Sequence, residues 1–403
     1  MGMNQKLSQQ VSQLIRDKER GRGICAYLYD LDKLRSHAAE LKHTLPSYCR
    51  LFYAIKANPD KQIIRALEKM VDGFEVASLG EMTKVRDVTT KPMIFGAPAK
   101  KEGEIEKAAK GDLSLINVES FHDVNRIQSI ACQANRKVPV IIRVNLRQNV
   151  SHSRIKMAGV ATQFGVDENQ VPDIIHKLIQ CPNLVIRGFH FHAMSNNLDA
   201  DVHLKFVQTC LLKASEWRKT YDLNIDTVNV GGGIGVNYTR SDESFDWTLF
   251  TQGLHALKQA FMDEGIELIL ELGRYLTAEC GYYVSEVVDL KQNHDQCFAL
   301  LRGGTHHLRL PAAWKMSHPF TLYPVDTWEY PFKRPQIKEE SVTMAGELCT
   351  PNDVLVRDVY VDQLRVGDLV VFQLAGAYGW TISHHDFLSH PHPDIYYVGD
   401  LPN

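Results

Sequence analysis

Apolar, β-branched runs of strand length recur at residues 50–57, 73–78, 92–97, 113–118, 138–146, 184–193, 225–233 and 266–273. Most are separated by stretches with apolar residues at helical spacing, as at Ile63 to Met70, Phe121 to Ala134, Val171 to Ile179, Val202 to Tyr221 and Phe245 to Glu264. Such strand–helix units repeated eight times predict an α/β fold, a (β/α)8 barrel, because an open doubly wound sheet usually holds fewer strands. Ahead of them, Leu7, Val11, Leu14 and Ile15 mark a short amphipathic helix. Ala26 to Asp30 reads as a strand whose last residue can cap a helix running to about Leu41. From about Cys280 the texture changes. Short strands at Tyr282–Lys291, Cys297–Arg302, Asp353–Val361 and Asp368–Gln373 alternate with Pro and Gly turns, which predicts a second, mainly β domain. The expected organisation is an N-terminal segment, residues 1–25, packing on the β domain, then a barrel over 26–279 and the β domain over 280–403. The strand near Ala26 is expected to pair with the β domain.

A barrel concentrates its chemistry at the carboxyl ends of its strands. Lys56 ends the first strand, Glu75 lies in the second, Arg143 lies toward the end of the fifth and His192 ends the sixth. Gly231, Gly232 and Gly233 end the seventh, and Glu271 with Arg274 ends the eighth. Chance would scatter these residue types over both ends. Lys56 follows the apolar run Leu51 to Ile55, where a buried ammonium must be paired, neutralised or used. An edge-strand lysine reaching back to solvent is the plain alternative.

A Gly-Gly-Gly turn lets backbone N–H groups approach an anion, and barrels often hold phosphate after strands seven and eight, where Arg274 adds a charged partner. Phosphate, a desolvated lysine and a carboxylate at one mouth point to pyridoxal 5'-phosphate condensed with Lys56. Glu271 would bond the ring nitrogen and keep it protonated, making the ring an electron sink, and His192 could stack on the ring face.

Composition narrows the partners. Lys and Arg number 45 against 48 Asp and Glu, a net charge of -3, which leaves no basic excess for nucleic acid or an anionic membrane. No apolar run approaches a membrane span, and the opening Met-Gly-Met-Asn-Gln-Lys lacks a signal-peptide core. The eight cysteines are scattered without a Cys-x-x-Cys pair. A reduced, cytoplasmic enzyme is expected.

Tyr53-Ala-Ile-Lys56-Ala-Asn58, Phe191-His192-Ala-Met-Ser195, Val230-Gly-Gly-Gly233, Glu271-Leu-Gly-Arg274-Tyr275, Gly346-Glu-Leu-Cys349-Thr350 and Gly376-Ala-Tyr378 occur in this order. In them the chain resembles the fold-type III pyridoxal phosphate decarboxylases, relatives of ornithine and diaminopimelate decarboxylases with an alanine racemase-like fold. The resemblance covers nearly the whole chain. It implies that Lys56 carries the cofactor, His192 stacks on it, Ser195 and the glycine turn bind its phosphate and Glu271 meets its ring nitrogen. It further implies that Cys349 and Tyr378 complete the site, the cysteine coming from the partner subunit of a homodimer with shared active sites. Glu75 and Arg143 would support the lysine and the ring, and Cys349 or Lys56 would return a proton.

Decarboxylases of diamino acids place an acid after the cysteine to hold the distal ammonium; Thr350 stands there instead. An unpaired ammonium costs a few kcal/mol, about a hundredfold or more in specificity. The stretches Phe189 to Leu198, Leu301 to Thr305 and Gly376 to His392 resemble a narrower branch, the siderophore-biosynthesis decarboxylases of the staphyloferrin B pathway. That implies a small-molecule polycarboxylate, citrate joined to 2,3-diaminopropionate, whose amino-acid carboxylate leaves as carbon dioxide. Arg302, His306, His307, Arg309 and His318 could hold its distal carboxylates. Decarboxylation of free diaminopimelate, ornithine or lysine, or racemisation on the same fold, are the alternatives. No metal is expected: His384, His385, His390 and His392 are irregularly spaced, lack a nearby cysteine and alternate with Pro391 and Pro393, which suggests a structured turn.

Overall fold

The computed structural model describes residues 5–18, 23–147, 155–156, 161–240, 243–261 and 265–400. The chain divides into two compact units, residues 35–236 with 243–276, and residues 1–34 with 237–242 and 277–403.

In the first unit, strands β1 (Cys49–Ala54), β2 (Gly73–Val76), β3 (Met93–Phe95), β4 (Leu115–Val118), β5 (Val138–Asn145), β6 (Leu184–Phe191), β7 (Thr227–Asn229) and β8 (Glu267–Leu272) form a closed parallel barrel. Each pairs with its successor, and β8 returns to β1 with Leu270 opposite Leu51, so no edge of the barrel is left unpaired. Phe52, Ile94, Leu115, Ile141 and Ile269, from five of the strands, pack as one apolar cluster. Burying such side chains contributes roughly 1.5–3 kcal/mol each.

Capping side chains start several of the connecting helices. Asp60 accepts from the backbone N–H of Gln62 and Ile63 ahead of helix Lys61–Leu67, Ser120 from that of Asp123 ahead of Phe121–Gln133, and Asp199 from that of Val202 ahead of Ala200–Thr220. Helix Leu79–Arg86 carries no strong apolar period and buries only Met82 and Val85, which is why the pattern of the sequence passes over it. The strands are shorter than their apolar runs: 92–97 contracts to Met93–Phe95, and 225–233 to Thr227–Asn229. The expected helix end at 262–264 and residues 1–4 and 19–22 of the N-terminal segment lie outside the described residues, as does the side chain of Leu7.

The second unit is built on an eight-stranded sheet. Strand Cys25–Asp30 pairs antiparallel with Gly281–Asn293, Ala26 opposite Val284, and parallel with Asp394–Val398. The long Gly281–Asn293 strand also pairs with Leu369–Phe372 and Gln296–Leu301, and an irregularity between Val287 and Asp289 lets it bend from one set of partners to the other. Val11 and Leu14 of helix Gln5–Lys18 join Ile24, Leu28, Val284, Val325, Leu369 and Val371 in its core. The eight cysteines are free thiols. No helix among the described residues is long and apolar enough to cross a membrane.

Candidate active site

The carboxyl ends of the barrel strands gather most of the reactive residue types. β1 stops at Ala54, and Lys56 sits two residues beyond, in the short turn Ile55–Ala57. The Tyr53 hydroxyl donates to the Asn58 carbonyl across this turn at 2.8 Å. Ala54 pairs with Glu75 across β1 and β2, and that register brings the two side chains together: Lys56 Nζ lies 3.0 and 2.9 Å from the two carboxylate oxygens. Glu75 is buried, while 42% of the Lys56 side chain is exposed toward the mouth. Burial pushes the Glu75 carboxyl up to about 7, Lys56 pulls it down and the negative charge of Glu271 adds to the rise.

Glu271, in β8, behaves oppositely. Burial acts to raise its carboxyl, but His190, Lys56 and a hydrogen bond from Asn229 outweigh it and bring the group down to about 2. Asn229 Nδ2 donates to Glu271 Oε1 at 2.6 Å, and Asn229 Oδ1 accepts the Gly231 N–H at 2.8 Å, so one amide ties the carboxylate to the glycine turn. Asn117 Nδ2 donates to His190 Nδ1 at 2.8 Å, and His190 Nε2 lies 3.5 Å from Glu271. These two carboxylates, both buried at one mouth, thus have protonation states pushed apart by their neighbours.

His192 follows β6. Burial lowers its proton affinity well below that of an ordinary histidine, and Lys56 and Arg143 lower it further, so the imidazole is neutral. Its Nδ1 accepts the Gly232 N–H at 3.3 Å. Gly231 has φ 66°, and a Cβ there would lie 2.3 Å from that same Nδ1; on Gly232 a Cβ would lie 2.0 Å from the Glu271 carbonyl oxygen. Glycine is therefore required at both positions. The segment after His192 is stitched to this turn: Asn197 N–H donates to the Gly233 carbonyl at 2.8 Å, and Asn196 Oδ1 accepts the Val236 N–H at 3.1 Å. Ser195 is partly exposed between these anchors, and Arg274 is buried at the start of the short helix that follows β8.

Arg143, in β5 opposite His190, lies 3.3 Å from Glu119 and 4.7 Å from the centre of the Phe164 ring. Glu119 also accepts the Gly165 N–H at 3.0 Å, and buried Lys100 bonds Asp123 at 2.7 Å behind it. Charges alternate through this layer, so each buried ion has an opposite neighbour.

In the second unit, Cys349 is exposed on the turn 346–353 and Thr350 is partly exposed beside it. Asp353 holds the turn. Its buried carboxylate accepts the Thr305 N–H at 2.6 Å, the Thr305 hydroxyl at 2.7 Å and the Leu348 N–H at 2.8 Å. His306 and His390 both approach Glu347 Oε1, at 3.6 and 3.5 Å. Burial acts to raise the Glu347 carboxyl, yet His306, His390 and a hydrogen bond from the Gly303 backbone hold it below the usual range. His307 stacks against His306 at 3.9 Å and points into the core, where Nδ1 lies 3.1 Å from the Tyr283 hydroxyl and burial lowers the ring to about 3. His318 is buried with Nε2 2.6 Å from the Gln373 carbonyl, Arg302 lies 3.8 Å from Glu286, and Arg309 is exposed. Of the expected distal-carboxylate group, His306 lies by the Cys349 turn, and the ring of His318 is bonded to the Gln373 carbonyl. Tyr378 has φ 51°, a left-handed conformation costly for an aromatic residue and frequent at functional sites.

Sequence reasoning passes over Asn117, Glu119, His190 and Asn229 in the barrel, and Glu347 and Asp353 in the second unit, and weighs His390 only as a metal ligand. The barrel residues had a signal. His190 and His192 alternate at the end of one strand, and polar side chains inside apolar strands need partners.

Residues 31–278 match the family described as "Pyridoxal-dependent decarboxylase, pyridoxal binding domain". The chain is 40% identical over 384 residues to the 2-[(L-alanin-3-ylcarbamoyl)methyl]-2-hydroxybutanedioate decarboxylase of Staphylococcus aureus, covering 94% of this chain and 96% of that one. It is 27% identical over 357 residues to a diaminopimelate decarboxylase of Helicobacter pylori, covering 88% and 85%. The crystal structure of the Helicobacter pylori diaminopimelate decarboxylase complexed with L-lysine superposes with a TM-score of 0.84 at 24% identity, covering 96% of this chain and 94% of that chain.

Proposed function

The chain belongs to the pyridoxal-dependent decarboxylases, and from that membership we propose that it removes the α-carboxylate of an amino-acid–citrate conjugate, a citryl-diaminopropionate-like molecule, in carboxylate siderophore biosynthesis. The observation that carries this reading is the 40% identity, over nearly the full length of both chains, to an enzyme whose named substrate is a hydroxydicarboxylate arm joined through an amide to alanine. Thr350 supports it from the other side, because an acid after Cys349 would suit a free diamino acid and none is present.

The residues at the barrel mouth fit pyridoxal 5'-phosphate: an amine at Lys56, an anionic carboxylate at Glu271, a flat neutral imidazole at His192, and main-chain N–H groups of a turn that admits no side chain at Gly231 or Gly232. When bound, the cofactor supplies a conjugated ring into which the electron pair left by the departing carboxylate delocalises. Lys56 is the amine that would hold its aldehyde, and Glu75 can take a proton from Nζ at 2.9 Å or return one. Glu271, anionic above about 2, would keep a proton on the ring nitrogen while Asn229 and His190 fix its position. His192 would pack its uncharged face on the ring without competing for that proton. Ser195, the glycine turn and Arg274 would bind the phosphate, and Arg143, steadied by Glu119, would set the field around Lys56. The carbon–carbon bond to the carboxylate breaks, carbon dioxide leaves, and one proton is added at the same carbon, with Cys349 or Lys56 as its source. Tyr378 would complete the pocket. We further propose a homodimer in the cytoplasm, Cys349 of one copy serving Lys56 of the other.

The test is carbon dioxide release from a panel of citrate–amino-acid conjugates and free diaminopimelate, ornithine and lysine. The citryl-diaminopropionate conjugate should be preferred by about a hundredfold or more in kcat/KM, and Thr350→Asp should shift preference toward the free diamino acids. Equal or better turnover of a free diamino acid by the unaltered enzyme contradicts the substrate assignment. Loss of optical activity without carbon dioxide would indicate racemisation.

A further inference from the structure

Beyond the decarboxylase site, the second unit carries a group of side chains to which that reaction assigns nothing. His385, Asp386 and His392 place one donor atom each within 4.8 Å of one another. His392 Nε2 lies 3.2 Å from Asp386 Oδ1, and His385 Nδ1 lies 3.7 Å from that oxygen. Ligand bonds of ~2.0–2.2 Å to a divalent ion put neighbouring donors roughly 3–3.5 Å apart, so the His392–Asp386 separation already suits a shared cation and the other two close with small ring rotations.

Three further features are unusual for an ordinary surface histidine pair. His385 Nδ1 is shut off from solvent yet has no hydrogen-bond partner, and it is aimed at the carboxylate. An enclosed nitrogen without a partner is costly, and a metal ion would satisfy it. The Trp380 indole packs against both rings, 4.4 Å from His385 and 4.8 Å from His392, which holds the two imidazoles in place. The chain between the ligands turns back through Leu388 at φ 60° and Ser389 at φ 57°, two successive non-glycine residues in the left-handed region. Strain of that kind persists where surrounding contacts enforce it, and it is concentrated at functional sites.

We propose that His385, Asp386 and His392 form a binding site for a divalent first-row transition metal of the zinc class. Two imidazoles and one carboxylate suit Zn2+, Co2+ or Fe2+ better than Mg2+ or Ca2+, which favour all-oxygen sets. Three protein ligands leave coordination positions open to water or to an anionic oxygen ligand. The irregular spacing that argued against a metal along the sequence is bridged by the turn.

The experiment uses the full chain loaded with its cofactor, stripped with a chelator and titrated with Zn2+ alone in competition with a chromophoric chelator. One equivalent should bind with micromolar affinity or better, and zinc should raise the thermal midpoint. Asp386→Asn, which leaves the Trp380 stack intact, and the double variant His385→Gln/His392→Gln should each weaken binding at least about tenfold and remove the thermal shift, while the control His122→Gln should not. Co2+ should give weak visible bands without a thiolate charge-transfer band. No binding at micromolar zinc, undiminished binding by both site variants, or an intense thiolate band that puts the metal on a cysteine would each overturn the proposal.

Discussion

At the barrel mouth Lys56, just past β1, faces Glu75 in β2 and Asn229 grips Glu271, whereas in the second unit Cys349 stands exposed on a turn held by one buried carboxylate, Asp353. The mouth is organised by strand register: Ala54 beside Glu75, Arg143 beside His190, and Asn229 two residues before the glycine whose N–H it accepts. The turn is organised by hydrogen bonds that a single side chain accepts from Thr305 and Leu348. Register places groups whose charge is set by burial and by each other, so the mouth should respond to isosteric changes that alter charge alone. The exposed cysteine should respond to loss of its own atoms.

The largest effect should come from Glu271→Gln, which keeps the shape and removes the charge. Carbon dioxide release should fall in kcat by about two to three orders of magnitude while the visible absorption of the bound cofactor persists. A loss under about tenfold would show that the anionic charge at Glu271 is not what the reaction uses. Cys349→Ala should cost less, about a hundredfold in kcat, with the cofactor retained and protonation slowed or misdirected. Product analysis in deuterated water reads this out, and normal rate with normal stereochemistry would remove Cys349 from the site.

The smallest effect concerns stability. The folded protein holds the Glu75 proton up to about 7, above the ~4.3 of an unfolded glutamate, so this group favours folding most fully below about 4.3 and the advantage is lost as pH rises through 7. Across that window it is worth on the order of 3 kcal/mol. In the cofactor-free protein Glu75→Gln should flatten the pH dependence of urea unfolding between pH 4 and 8 by roughly that amount. An unchanged slope would show that Lys56 offsets the cost of burying this carboxylate.

The same contrast explains what could be read from the sequence. A closed parallel barrel leaves a regular trace of apolar runs, and it sends reactive residues to one end, so Lys56, Glu75, Arg143, His192, the glycine turn, Glu271 and Arg274 could be found by counting strands. Their partners could not. Asn117, His190 and Asn229 lie inside apolar strands, where a polar residue looks like an ordinary core exception until the register shows which charge it meets. Lys56 itself lies just past its strand rather than on it, because pairing with β2 ends at Ala54. In the second unit the candidate groups occupy turns whose course depends on distant contacts. Asp353 reaches back to Thr305, 48 positions away, and Tyr378, Leu388 and Ser389 adopt left-handed backbone that no residue type there announces. Only motif resemblance points to Cys349 and Tyr378; spacing alone points to neither, and it hid the meeting of His385 with His392.

The central claim is that Lys56, and no other amine, carries the cofactor at the barrel mouth opposite Glu271. Borohydride reduction of the holoenzyme followed by peptide mass mapping tests it most directly. The reduced pyridoxyl group should be found on the peptide containing Lys56, and Lys56→Ala should lose both that adduct and the visible absorption. Attachment to another lysine, or unchanged colour in Lys56→Ala, would contradict it.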